Sequence, residues 1–235
     1  MDCKLYNKGI AFRRLLLTCS VTTICGLCIP ALGQTTWRDS LSVLNREIAL
    51  SPHSTDLRLK KAAVNIELEQ WDYAIEEYGR VLEIDPQCLA ALYYRAYAHT
   101  HQRHLDMART DYERLLAIVP HQFEGRLGLA MVKRQMGRQH DTMDELNLLV
   151  EQHPDSALAY AARAGYETEL HQYETALFDW EEALRRKPMN ADFIVSKVDV
   201  LLQMGRNNEA WAVLEDAIKR GVPRSQLREW INKCK

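Results

Sequence analysis

Residues 55–88 read TDLRLKKAAVNIELEQWDYAIEEYGRVLEIDPQC. Two amphipathic stretches lie within them. Leu59, Ala62, Ala63 and Ile66 form one helical stripe, and Trp71, Ala74, Ile75, Tyr78 and Val81 form a second. Pro86 ends the segment, because proline lacks the amide hydrogen that a helix needs and its ring collides with the preceding turn. The same frame recurs on both sides: Pro52, Pro86, Pro120, Pro154 and Pro188 are each 34 residues apart, and Pro223 comes one residue late. A fixed period of this length decides an architecture before any single helix does.

Small residues recur in the same register. Ala62, Ala96, Ala130 and Ala164 fall on the first stretch, and Ala74, Ala108, Ala176 and Ala210 on the second, where two helices must cross closely. Four positions after the second set stand Tyr78, Tyr112, Trp180 and Leu214. This pattern resembles the tetratricopeptide repeat family, a 34-residue helix-turn-helix with small residues at its eighth and twentieth positions, an aromatic at the twenty-fourth and proline at the thirty-second. Five units follow, residues 55–88, 89–122, 123–156, 157–190 and 191–224, and the resemblance covers about 170 residues. The third unit departs with Thr142 and Leu146, the fifth with Val198, Leu214 and Val222, while Gly137 and Gly205 stand at the inter-helix turn, where a positive φ is useful.

The resemblance implies an all-α, right-handed superhelical solenoid with a concave surface lined by the first helix of each unit. Before Pro52, Trp37, Leu41, Leu44 and Ile48 continue the frame, so residues 34–54 are read as a lone capping helix. At the other end Leu227, Trp230 and Ile231 make residues 225–235 a second cap. In this family the fifth, ninth, twelfth and thirteenth positions face the groove, which nominates Leu59, Tyr93, Tyr97, His101, Leu127, Met131, Arg134 and Asp199 as the peptide-binding residues. Asp56, Glu124 and Asp192 add acidic points, so the groove suits an apolar helix or extended segment with basic residues beside it. The subset of these repeats that grips acidic chaperone tails carries Lys and Asn at the fifth and ninth positions. Leu59, Ala63, Tyr93 and Tyr97 stand there, and that activity is not implied.

Residues 1–33 read as a cleaved secretory signal, with basic residues through Arg14, an apolar run from Leu15 to Ile29 and a small-residue site ending at Gly33. A retained membrane anchor is the alternative. The address implied is extracytoplasmic, in the periplasm or cell envelope or secreted. Removing these residues takes away four basic side chains and one acidic one, and the formal charge moves from -2 to about -5. That balance argues against nucleic acid, which needs clustered Lys and Arg. Cys88 and Cys234 remain, and the stack sets them too far apart for a mutual disulfide.

No phosphate loop, nucleophile elbow, zinc spacing or dinucleotide turn occurs, so the chain is read as a non-enzyme without cofactor or metal. His99, His101 and His104 lack accompanying cysteines or carboxylates, and Glu76-Glu77 and Glu181-Glu182 are assigned to a solvated outer face. The function that follows is a scaffold binding a protein or peptide. A homo-oligomeric spacer associating through Trp37 or Trp230 is the alternative, with a hydrolase or metal-binding protein behind it.

Overall fold

A computed structural model describes residues 31–234, with side chains from Trp37 onward. The expected leader lies outside the described residues, apart from its last three positions. Twelve helices and no strand occur among the described residues, forming an all-α helical repeat solenoid. The first, α1 (Ala31–Leu50), precedes the repeats. Five antiparallel pairs follow: α2 (Thr55–Glu67) with α3 (Trp71–Ile84), α4 (Leu89–His101) with α5 (Leu105–Ile118), α6 (Phe123–Gln135) with α7 (Gln139–Gln152), α8 (Ala157–Glu169) with α9 (Tyr173–Arg186), and α10 (Ala191–Gln203) with α11 (Asn207–Lys219). The chain closes with α12 (Arg224–Lys233), which packs on α10 and α11.

Each pair turns in the same way. The fifteenth residue of every unit has a positive φ, 58° at Glu69, 59° at Arg103, 73° at Gly137, 58° at His171 and 73° at Gly205. The next amide then reaches back to a carbonyl five residues earlier, as Gln70 N–H does to Asn65 and His104 N–H to His99. This closes the first helix with a Schellman cap, and glycine is used at only two of the five positions. Side chains cap the first helices from the other end: Ser54, Gln122, Ser156 and Asn190 accept from an amide three residues on.

The alanines at the helix crossings are sealed. Ala62, Ala74, Ala96, Ala108, Ala164, Ala176 and Ala210 are wholly inaccessible, and the residues four positions after the second set, Tyr78, Tyr112, Trp180 and Leu214, fill the core beside them. Thr142 and Leu146 are equally buried in the third unit, Thr142 satisfying its hydroxyl by donating to the Arg138 carbonyl. Gly128 meets Tyr112 so closely that an added Cβ would lie 2.5 Å from the ring.

The twenty-third position carries a buried carboxylate in four units, and this corrects the assignment of Glu77 to a solvated face. Glu77 is 5% exposed and takes Arg58 at 2.7 Å and Lys61 at 2.8 Å. Glu145 repeats the arrangement with Arg126 at 2.6 Å and Lys133 at 2.8 Å. Asp111 and Asp179 instead receive the two-nitrogen fork of Arg95 and Arg163. The position lies on the flank of the second helix that rests on its own first helix, so solvent is excluded. Its neighbours behave as expected of a surface, with Glu76 paired to Arg80 and Glu181 to Lys197 in the open.

Four proline stops are tied to arginines, two of which also hold the buried carboxylates. Arg58 and Arg126 donate to the carbonyls of Pro52 and Pro120, and Arg114 and Arg186 to those of Pro86 and Pro154. An orphan carbonyl at each helix exit is thereby satisfied.

Removing one partner from a buried pair leaves an uncompensated charge, which costs about 3–5 kcal/mol. Because its three side chains keep some solvent, Glu145→Ala is expected at the low end, a loss of about 3 kcal/mol and a fall in Tm of about 6–12 °C. Glu76→Ala, which breaks an exposed pair, should move Tm by less than about 2 °C. Thermal unfolding followed by circular dichroism compares them, and equal small shifts would show that the buried carboxylates contribute no more than surface ones.

Candidate functional site

First helices approach one another across the repeats, α2 with α4, α4 with α6 and α8 with α10, while no two second helices pack to a comparable degree among the described residues. The first helices therefore line the inner face and the second helices the outer one. At the turn end of the first helices an aromatic grouping joins units one and two. Trp71 opens α3 and His101 closes α4, and their rings stack with centroids 4.2 Å apart and planes within 5°. Tyr97, one turn before His101, presents its edge to both, at 6.1 Å from Trp71 and 4.5 Å from His101. Tyr97 is half-buried and His101 exposed, so the grouping is anchored on one side and open on the other.

Tyr93 lies deeper. Its ring packs edge-on against Tyr94 at 5.1 Å and Tyr112 at 5.9 Å, and burial pushes its phenol well above the ordinary tyrosine range, so it stays protonated. Leu59 and Tyr93 pack on the core of the first two units, and Leu127 on that of the third. Met131 is half-buried on α6. Arg134 reaches from α6 across to Glu169 of α8 at 2.5 Å, spanning the one junction of repeats where first helices stay farther apart. Asp199 accepts from Gln203 on its own helix, three units beyond the aromatic grouping. The structure thus brings Tyr97 and His101 together, sets Leu59 and Tyr93 beneath them as support, and leaves Asp199 apart. Trp71 belongs to the grouping although the sequence pattern counts it in a core stripe.

The histidines do not share one site. His101 is on Trp71, while His104 lies 5.7 Å from the ring of His99. His99 is buried, and desolvation lowers its pKa, which keeps the imidazole neutral. His140, Asp141 and Asp144 form an exposed group on α7, in which His140 already meets Asp144 at 3.0 Å and Asp141 meets Arg138. Cys88 lies within the core and Cys234 is half-buried. No helix among the described residues is long and apolar enough to cross a membrane.

A second polar line runs through the interior at the eleventh position of the units: Asn65, His99, Lys133 and Glu167. Lys133 is paired, but Asn65 Nδ2, His99 Nδ1 and Glu167 Oε2 are shielded and lack hydrogen-bond partners among the described residues. Burial and the neighbouring Asp179 raise the Glu167 pKa to about 7, against the pull of Arg163 and of a Thr175 hydrogen bond.

These features define the class by fold: an all-α helical repeat solenoid, similar to solved tetratricopeptide repeat structures. Residues 59–123 match the family model described as tetratricopeptide repeat. The chain is 31% identical over 97 residues to mouse (Mus musculus) sperm-associated antigen 1; the match covers 41% of this chain and 10% of that protein. Among solved structures, a tetratricopeptide repeat protein from Parabacteroides merdae superposes with a TM-score of 0.62 at 18% identity, covering 86% of this chain and 79% of its own. YrrB, a TPR protein with an unusual peptide-binding site, superposes with a TM-score of 0.57 at 14% identity over 79% of this chain and 96% of its own.

A carboxyl whose folded pKa is raised favours folding while protonated, and that advantage is lost as pH rises from about 4.5 through about 7. Glu167→Gln keeps the shape without the charge. The variant should match wild type in Tm at pH 5 and exceed it by about 3–6 °C at pH 8, corresponding to about 1–2 kcal/mol. Equal differences at both pH values would show that Glu167 does not titrate in this range.

Proposed function

We propose that the chain is a non-catalytic scaffold of the cell envelope that holds a protein or peptide on its concave face. Solenoids of helix pairs mediate contacts between proteins, and a preformed groove lowers the ordering cost of binding. The observation that carries the groove assignment is the open side of the Trp71, Tyr97 and His101 grouping. Partly exposed aromatics held rigid by stacking are the side chains that supply most interface affinity. Glu67 and Glu69, both exposed at the end of the neighbouring first helix, add negative charge and favour a segment with basic residues beside apolar ones. YrrB, of similar fold, is a TPR protein with an unusual peptide-binding site, in keeping with a peptide ligand for this fold. The envelope address rests on the signal-like composition of residues 1–33.

A second reading, self-association, is favoured by α1, which packs on α2 and leaves Trp37, Val43 and Leu50 exposed. Light scattering decides it: a monomer at high concentration overturns the spacer.

The main test is crosslinking capture from native envelope extract with the tagged chain, beside a Tyr97→Ala, His101→Ala variant of unchanged helicity. A protein held by wild type and bound about tenfold or more weakly by the variant is the expected result. Identical capture by both would overturn the groove, and capture confined to cytoplasmic extract would overturn the envelope address.

A further inference from the structure

Cavities also open between first helices and their second helices. One, of about 420 Å³, lies where α8 meets α9 and is lined by Arg163, Glu167, Glu174, Thr175, Phe178 and Asp179. A smaller one, of about 220 Å³, repeats the placement in the next unit, with Lys197 and Leu201 on its floor. They form equivalent furrows between a first helix and the second helices above it, and their chemistry differs. In the fourth unit both oxygens of Asp179 are occupied by Arg163, whose remaining nitrogen donates to Asn147 at 3.0 Å. Glu167 is 8% exposed and its Oε2 is shielded without a hydrogen-bond partner, while the Thr175 hydroxyl beside it donates to the Gln172 carbonyl. Two carboxylates thus share one guanidinium.

The third unit shows what this furrow does with such a charge. There the eleventh position is Lys133, and its ammonium sits 2.8 Å from the Glu145 carboxylate at the twenty-third. In the first unit Lys61 reaches Glu77 at the same distance. An ammonium on a carboxylate is the contact the furrow builds internally wherever a lysine is present. In the fourth unit the seventh position, where the first unit has Lys61, is Arg163, and the eleventh, where the third unit has Lys133, is the carboxylate Glu167. At its rim the Phe178 ring, 61% exposed, offers a face to a methylene stem, and Glu174 adds negative charge.

We propose that this furrow receives a lysine side chain of a protein partner, its methylenes against Phe178 and its ammonium on Oε2 of Glu167. The site is separate from the concave groove. Arg163, Asp179, Glu174 and Thr175 face Glu167, and Arg163 remains cationic throughout, so the ligand competes with the proton that Glu167 holds near neutrality. Binding is therefore linked to proton release.

The test uses the full chain with carboxyl-labelled glutamate and Nα-acetyl-lysine methylamide as probe, observed by NMR at the Glu167 carboxyl and the Phe178 ring. Saturable shifts are expected, with an affinity about tenfold higher at pH 8 than at pH 6, as a carboxyl titrating near 7 requires. Glu167→Gln, which folds at least as stably, should lose them, and Tyr97→Ala should keep them, so failure here is distinct from failure of the groove. The proposal is overturned if the acetyl-norleucine analogue gives the same shifts, if Glu167→Gln retains binding, if calcium or zinc saturates the site while the lysine probe does not, or if no saturable shift occurs.

Discussion

A carboxylate placed between two packed helices has to have a cation beside it, because desolvation would otherwise drive it to its neutral form or drive the helices apart. That constraint at the twenty-third position organises the first four units. Where the acid is the longer Glu, as at Glu77 and Glu145, the partner comes from the fourth position of the first helix and a lysine adds a second contact. Where it is the shorter Asp, the arginine comes from the seventh position and closes a two-nitrogen fork. Side-chain length is matched to the distance between helices, and units one and three alternate with two and four. In the fifth unit Val213 replaces the acid, and α12 covers an interior that is apolar throughout.

The 34-residue proline series and the paired alanines made the helices and their crossings readable from the sequence, since the first marks helix stops and the second close helix crossings. The buried carboxylates were hidden for a physical reason. Glu77 stands beside Glu76, and a helix places adjacent residues about 100° apart, so one flank is sealed while the other is wet. Charge alone reads both as surface. The left-handed turn was visible only where glycine marked it, at Gly137 and Gly205. Glu69, Arg103 and His171 adopt the same φ because the Schellman hydrogen bonds compensate the strain. Of the nominated groove residues, Tyr97 and His101 were legible from helical spacing, whereas the ring that completes them, Trp71, comes from a different unit and needed the three-dimensional stack.

The stack is not uniform along its length. The interior divides into three apolar clusters, one through the first two units, one around the third, and one from the fourth to the C-terminal helix. First helices stay farther apart between the third and fourth units, where Arg134 and Glu169 bridge them instead. The two candidate surfaces lie on opposite sides of this joint: the aromatic grouping before it, in units one and two, and the Glu167 furrow after it, in unit four. A partner engaging both would set the angle between the halves through two contacts, and the second would form at high effective concentration once the first is made.

Glu167 itself has no structural necessity. In the fifth unit the same position is Leu201, 2% exposed, packed in an apolar cluster, so the repeat accommodates a hydrocarbon there without altering its helices. In the third it is a lysine that neutralises the neighbouring acid. Only the fourth unit sets two carboxylates against one arginine, an arrangement that lowers stability above neutral pH and that either a leucine or a lysine would relieve. A polar group that costs stability where a simpler residue would serve is the mark of a site whose complement arrives from outside the chain.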